Sequence, residues 1–187
     1  MPGKIFVEYY EITQNDPVTH QLGKDHMLLA YQDENGQEYI IRGGQADEFG
    51  LGTLDHAIFD DSGPILVDAG IPAEFSRDYM NRIAYDTPST AYQLTDEDLD
   101  GRDPADVWDT MVDSAQLIAS QNIPYHLGSQ NSNSVAGTVL SSAGIDPMQV
   151  LPDGKISDNF PGLGNTLSGD FFDPTEIDPF DAALLGF

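Results

Sequence analysis

A run of hydroxyl and amide side chains at positions 129–133 leads directly into small apolar residues with helical spacing at positions 134–143. The run consists of Ser129, Gln130, Asn131, Ser132 and Asn133. A helix N-terminus carries free N–H groups and a partial positive charge, so it can lower the pKa of a nucleophile or stabilise an oxyanion. Ser and Asn are also the commonest capping residues. The run therefore predicts either a reactive site at a helix N-terminus or an ordinary cap.

The predicted helix has sequence signals at both ends. Asn131, Ser132 or Asn133 can each serve as its N-cap. Gly144 fits the position just after the helix, and Pro147 follows shortly beyond. These signals place the polar run at the N-terminus of a bounded helix.

The sequence Asn-Ser-Asn-Ser-Val at positions 131–135 resembles the Asn-Cys-x-x-Phe-Val motif that opens a helix in permuted papain-like proteins. These are the NlpC/P60-like and lecithin:retinol acyltransferase-like relatives. In the resemblance Ser132 takes the place of the Cys nucleophile, and Val135 takes the place of Phe. The resemblance covers residues 24–44 and 124–145, and it implies an α+β fold with a small antiparallel sheet packed against two or three helices.

A hairpin is predicted in the first quarter of the chain. Two apolar runs, at residues 25–31 and 38–42, flank an Asn35-Gly36 turn signal. His26 opens the first strand, so it lies at the same end of the hairpin as the residues that close the second. Without the resemblance, His26 is more simply a half-buried histidine at a strand end that bonds a backbone carbonyl.

The papain-like resemblance gives the hairpin a role, because the general-base His of that group begins a strand and a polar orienting group ends the next. His26 is then the base. Arg42 is nearest to the third position by spacing, whereas Gln45 is the chemically more suitable orienting group. We favour Gln45.

The resemblance implies a hydrolase or acyltransferase that acts on an amide or ester bond of a small-molecule, peptide or acyl substrate. Ser132 attacks, His26 takes the proton, and Gln130 with the helix N-terminus stabilises the oxyanion. Asn131 completes the predicted site, which uses no cofactor. The competing hypothesis is a non-catalytic binding or accessory module, either a degenerate papain-like fold or an acidic domain stabilised by calcium. In that case Ser132 and Asn131 are caps.

Calcium is suggested by one acidic segment. Asp96, Asp98 and Asp100 precede Gly101 with the spacing of the first half of a calcium-binding loop. The second half does not match, because Val107 occupies the position of the bidentate Glu. With 32 acidic residues in the chain, this spacing also arises easily by chance.

The remaining patterns predict a single α+β domain over residues 1–150 and a loop-rich acidic tail over residues 151–187. Further strands are predicted at 5–12, 53–59 and 64–67, and His56 in the second of these is a rival to His26 as the base. Helices are predicted at 71–83 and 104–120, with a polar connection at 86–103 between them.

Composition restricts the partners. The chain has 187 residues, 32 acidic against 7 basic, and a formal charge of −25, which repels nucleic acid and anionic membranes. There is no Cys, so disulfides and thiolate chemistry are excluded. No apolar run is long enough for a membrane span or a signal peptide. The last residues, acidic then apolar, resemble a type I secretion signal, which implies an exported bacterial protein or effector; without that signal, the cytoplasm is expected.

Overall fold

The computed structural model describes residues 2–11, 25–45, 63–76, 90–126, 129–151 and 159–167. The strands are β1 (Lys4–Glu11), β2 (Asp25–Gln32), β3 (Glu38–Gln45), β4 (Ile65–Pro72) and β5 (Thr90–Gln93), and the helices are α1 (Pro104–Ser120) and α2 (Ser132–Ser142). In the described residues these elements form an α+β fold, one antiparallel sheet in the order β4-β3-β2-β1-β5 against two α-helices. The predicted fold class is therefore confirmed at this level.

The hairpin predicted around Asn35 and Gly36 is confirmed. Gly36 has a φ of 85°, a conformation that glycine adopts without steric cost. β2 pairs with β3 from Leu29 to Gln32, but it pairs with β1 along its whole length. His26, at the start of β2, thus lies where the described sheet pairs β2 with β1 and no longer with β3.

The strand that carries His26, β2, is buried on both faces over its first six residues. Because side chains alternate along a strand, Met27 and Leu29 of β2 lie in the main core, whereas Leu28 lies in a smaller apolar cluster on the other face. The main core fills the space between the sheet and the two helices. Trp108 of α1 stacks on Tyr31 there, with ring centroids 5.5 Å apart.

The helix predicted at 104–120 is confirmed, and its signals act as expected. The Asp103 carboxylate accepts a hydrogen bond of 2.9 Å from Ala105 N, and Pro104 occupies the first helical position. Neither helix of the described part of the chain combines the length and apolar character that a bilayer crossing requires.

Two predicted elements are wrong. Residues 71 and 72, expected to open a helix, end β4 instead, because they pair with Ile40 and Tyr39 of β3 beside a register shift. The connection predicted at 86–103 contains β5, which pairs with β1. In both places strand pairing overrides a weak local pattern.

Several predictions lie outside the described residues: the strand at 53–59 with His56, most of the helix at 71–83, and the C-terminal export signal. The described part of the tail, residues 159–167, contains no strand or α-helix, yet it contributes to the main core. Phe160, Leu163 and Leu167 are 1%, 2% and 5% exposed. We call this segment the strap.

Candidate active site

The N-terminus of α2 is capped by one residue of the polar run. Asn131 Oδ1 accepts hydrogen bonds from the backbone N–H groups of Asn133, at 2.9 Å, and Ser134, at 3.3 Å. Ser134 Oγ in turn accepts from Asn131 N at 3.3 Å, which completes a capping box. Of the three candidate caps, Asn131 is therefore the cap, and Ser132 becomes the first residue of the helix.

The structure brings Ser132 and His26 together. Ser132 Oγ lies 2.7 Å from His26 Nδ1, although the two residues are 106 positions apart. Both side chains are buried, with 9% and 8% exposure. Their distance is that of a nucleophile and a base in hydrogen-bond contact.

The geometry of this contact selects one form of the imidazole for chemistry. A serine hydroxyl can donate its proton to Nδ1 only if that nitrogen carries no hydrogen, so a neutral His26 must hold its proton on Nε2. The distance alone does not distinguish the two tautomers, so this one is the form that proton transfer from Ser132 requires. In the other tautomer, with the proton on Nδ1, the imidazole would instead donate to Ser132 Oγ across the same distance.

Two donors near Ser132 are not used by the described structure. Asn131 takes the N–H groups of Asn133 and Ser134, but the N–H of Ser132 has no partner among the described residues. Gln130 uses its backbone N–H and C=O in two bonds with His126, of 2.9 and 2.8 Å, and its side-chain amide bonds no described residue. Such donors are what a developing oxyanion requires.

Asn133 joins the helix to the strand that carries His26. Its Oδ1 accepts from Met27 N at 2.9 Å, and its Nδ2 donates to the Asp25 carbonyl at 3.1 Å. Sequence reasoning treats Asn133 only as a third candidate cap. The available signal was the length of the polar run, because a helix needs one cap and the run offers three.

β3 and the strap enclose the same turn of α2. A Cβ on Gly43 would lie 2.6 Å from Val135 Cγ2 and 3.1 Å from Ser132 Cα, so only glycine allows this approach of β3. From the strap, the Pro161 carbonyl accepts from Asn131 Nδ2 at 3.1 Å. Gly162, with a φ of +79°, leaves no room for a Cβ beside Ser134 Oγ. The sequence reasoning missed both glycines, since neither carries a side chain to read.

The predicted third group is placed in part. Arg42 forms a long ion pair of 4.0 Å with Asp68, which joins it to β4. Gln45 ends β3 opposite Ile65, but its side chain lies outside the described residues. Its role as the orienting group of His26 stays a prediction.

The acidic segment at 96–101 forms a hydrogen-bonded turn. Asp98 Oδ2 accepts from Thr95 N and Oγ1, both at 2.7 Å, and from the Tyr92 hydroxyl at 3.0 Å. Burial raises the pKa of the Asp98 carboxyl, but these hydrogen bonds lower it by more, so the net pKa lies below its ordinary value. Within the described residues no three acidic or His side chains gather as a metal group, Asp96 and Asp100 included.

Replacing Asp98 with asparagine is expected to lower the free energy of unfolding at pH 7 by about 1 kcal/mol, because charge-assisted hydrogen bonds become neutral ones. A carboxyl whose pKa is lowered in the folded state stabilises the fold at pH values above its pKa in the unfolded chain, near 3.9. This stabilisation is lost as the pH falls through the lower pKa of the folded state. Urea unfolding at pH 7 and pH 3 should therefore show the difference shrinking with acid.

Asp96→Asn is the matched control, since no hydrogen bond of its carboxylate to a described residue is present. A pH-independent difference for Asp98→Asn would contradict this account. Melting both variants and the wild type in millimolar calcium tests the predicted calcium site, because a cation that binds only the native state must raise the melting temperature.

Comparisons with protein-family models, with curated proteins and with solved structures find no match for this chain. The site therefore has to be interpreted from its own geometry.

Proposed function

We propose that the chain is a papain-like hydrolase or acyltransferase that acts on an amide or ester bond, with Ser132 as nucleophile and His26 as general base. The observation that carries the proposal is the 2.7 Å separation of Ser132 Oγ from His26 Nδ1. A serine hydroxyl does not ionise at neutral pH, so it needs a base in contact before it can attack. Nothing local in the sequence brings these two residues together.

The position of Ser132 on α2 supports the same chemistry. As the first helical residue, it lies where the helix dipole favours developing negative charge. Its own N–H and the side-chain amide of Gln130 are the donors proposed for the oxyanion. Asn131 fixes the first turn and so fixes the direction of that N–H.

The proposed reaction has two stages. Ser132 Oγ bonds to the substrate carbonyl carbon while its proton passes to His26 Nδ1 and the carbonyl electrons move onto oxygen. The intermediate then releases the amine or alcohol, which takes the proton from His26, and an ester remains on Ser132. Water completes a hydrolysis, or a second nucleophile completes an acyl transfer, with His26 again acting as base.

The burial of both side chains favours a second candidate function. Ser132 and His26 are each less than a tenth exposed, as expected for a hydrogen bond that only stabilises the fold. Such a protein would be a binding or accessory module. The two candidates differ in whether Ser132 reacts, which can be measured without knowing the substrate.

A fluorophosphonate probe tests the proposal. Attack by Ser132 Oγ forms an O–P bond, breaks the P–F bond and releases fluoride, while the proton goes to His26. We expect mass spectrometry to find the adduct on Ser132, no adduct in Ser132→Ala, and labelling of His26→Ala slower by about 10²–10⁴-fold.

Ser142→Ala is the matched control, because Ser142 lies at the other end of α2 and its hydroxyl donates to the Val139 carbonyl at 2.7 Å. It should label at the wild-type rate. Equal labelling of the wild type and His26→Ala, or no labelling of folded wild type at millimolar probe, would exclude the enzyme and leave the non-catalytic module.

A further inference from the structure

We propose that Asn133 is a positioning residue that holds the start of β2 against the first turn of α2, and so sets the contact of His26 with Ser132. The inference rests on the proposed function. It adds to it a residue that acts through His26 without touching substrate.

The side chain of Asn133 makes two hydrogen bonds to the backbone of β2. Oδ1 accepts from Met27 N at 2.9 Å and Nδ2 donates to the Asp25 carbonyl at 3.1 Å. These two backbone groups belong to the residues on either side of His26. The Asn133 amide therefore binds β2 immediately before and immediately after His26.

The position of these bonds in the sheet explains why a side chain is needed. β2 pairs with β3 from Leu29 onward, and nearer its start the described β3 residues offer it no ladder. Buried backbone groups require partners. At Met27 N and the Asp25 carbonyl, the Asn133 amide takes the place of the missing strand.

Only one short side chain offers a donor and an acceptor in this form. An aspartate at 133 would keep the acceptor for Met27 N but lose the donor to the Asp25 carbonyl, and alanine would lose both. Since Met27 N can only donate and the Asp25 carbonyl can only accept, the orientation of the amide is fixed by its partners.

We call the two hydrogen bonds from Asn133 to Met27 N and to the Asp25 carbonyl the clamp. The clamp is tied to the proposed nucleophile because Asn133 and Ser132 are neighbours in the chain. Asn133 follows Ser132 on the same turn of α2, and the side chain of Asn133 is only 4% exposed. The clamp on β2 and the hydroxyl that meets His26 are thus parts of one rigid turn. Loss of the clamp should let the start of β2 move, and a shift of about 1 Å is enough to reduce catalysis strongly.

Nitrogen NMR of the His26 imidazole measures its coupling to Ser132 whether or not Ser132 reacts with a probe. In the otherwise wild-type protein, Ser132→Ala should shift the imidazole nitrogen resonances of His26. In an Asn133→Ala background, the same substitution should shift them by less than half as much. The Trp108 indole resonance reports whether each variant retains its core.

Asn133→Asp provides a second variant, because it keeps one bond of the clamp and places a carboxylate where the helix dipole favours it. We expect an intermediate loss of coupling. Asn165→Ala is the control, since Asn165 Nδ2 donates to the Ser129 carbonyl at 2.9 Å and makes no hydrogen bond to the described residues of β2. It should leave the coupling unchanged.

Fluorophosphonate labelling adds a kinetic cycle. Asn133→Ala should slow labelling of Ser132 by about tenfold to a hundredfold, but it should have no further effect in His26→Ala, because both changes remove the same base. If the two substitutions together slowed labelling by the product of their separate effects, the positioning role would be overturned. A His26 resonance that responds equally to Ser132→Ala in both backgrounds would overturn it as well. If the wild type does not label, the proposed function fails, while the resonance measurement still decides the role of Asn133.

Discussion

Replacing Gly43 with alanine is expected to slow fluorophosphonate labelling of Ser132 by about 100-fold, because the new methyl group would force β3 and α2 apart. Its Cβ would lie 2.6 Å from Val135 Cγ2, 3.0 Å from Val135 Cβ and 3.1 Å from Ser132 Cα. Val135 is fully buried and Ser132 Cα is backbone, so neither can move aside easily. The same strain should cost about 1–3 kcal/mol of stability.

Two variants separate this effect from a general loss of glycine. Gly164→Ala is the control, because its Cβ would meet only the end of the Met148 side chain, at 3.3 Å. It should label and unfold like the wild type. Adding Val135→Ala to Gly43→Ala should restore part of the labelling rate. A Gly43→Ala protein that labels at the wild-type rate would show that the first turn of α2 is not confined by β3.

Truncating Phe160 to alanine should lower the free energy of unfolding by about 3–5 kcal/mol, a large part of the stability of an ordinary domain. Phe160 is 1% exposed and meets Tyr9 of β1 edge to face, with ring centroids 6.0 Å apart. The strap would thereby lose its anchor in the main core. Urea unfolding followed by Trp108 fluorescence measures the change.

Phe75→Ala is the matched control, because the Phe75 side chain is 75% exposed. Its effect should stay within about 0.5 kcal/mol, as for most surface substitutions. If both variants unfolded at the same urea concentration, the strap would contribute nothing to the core, and the burial of Phe160 would carry no energetic weight.

Elements with strong local signals could be predicted from the sequence. The Asn35-Gly36 turn between two apolar runs defines the hairpin almost completely, and Asp103 with Pro104 marks the start of α1 to the residue. In both cases the decisive interactions join residues that are close in sequence. The helical spacing before Gly144 also predicts α2, but its signals leave the start open among three caps, and the helix begins at Ser132.

Elements that depend on distant partners could not be predicted. β4 continues to Pro72 because β3 pairs with it there, and the four residues of β5 pair with β1 at the edge of the described sheet. Apolar residues in the strap form no extended pattern with a period of 2 or 3.6 positions, so the sequence pattern does not predict that Phe160 is buried. Such contacts are tertiary, and composition does not encode them.

The candidate site shows the same division. A motif resemblance suggested Ser132 and His26, and the structure places Ser132 Oγ and His26 Nδ1 within hydrogen-bond distance. The roles of Asn133 and Gly43 come from what each touches on another element, β2 in one case and α2 in the other. Neither the polar run at 129–133 nor the glycine pair at 43 and 44 indicates, in the sequence alone, a contact with β2 or α2.

The long separation between His26 and Ser132 also has a consequence for the order of folding. The β2–β3 hairpin closes over a short turn and can form within about 1–10 μs, whereas the contact of His26 with Ser132 spans 106 positions. Contacts between distant residues are favoured late, because the chain must first lose the entropy of the closed loop. A nascent chain that contains β2 but not yet α2 holds the proposed base without the proposed nucleophile. The contact of His26 with Ser132 is therefore expected to form only after α2 has reached the sheet, later than the hairpin that carries His26.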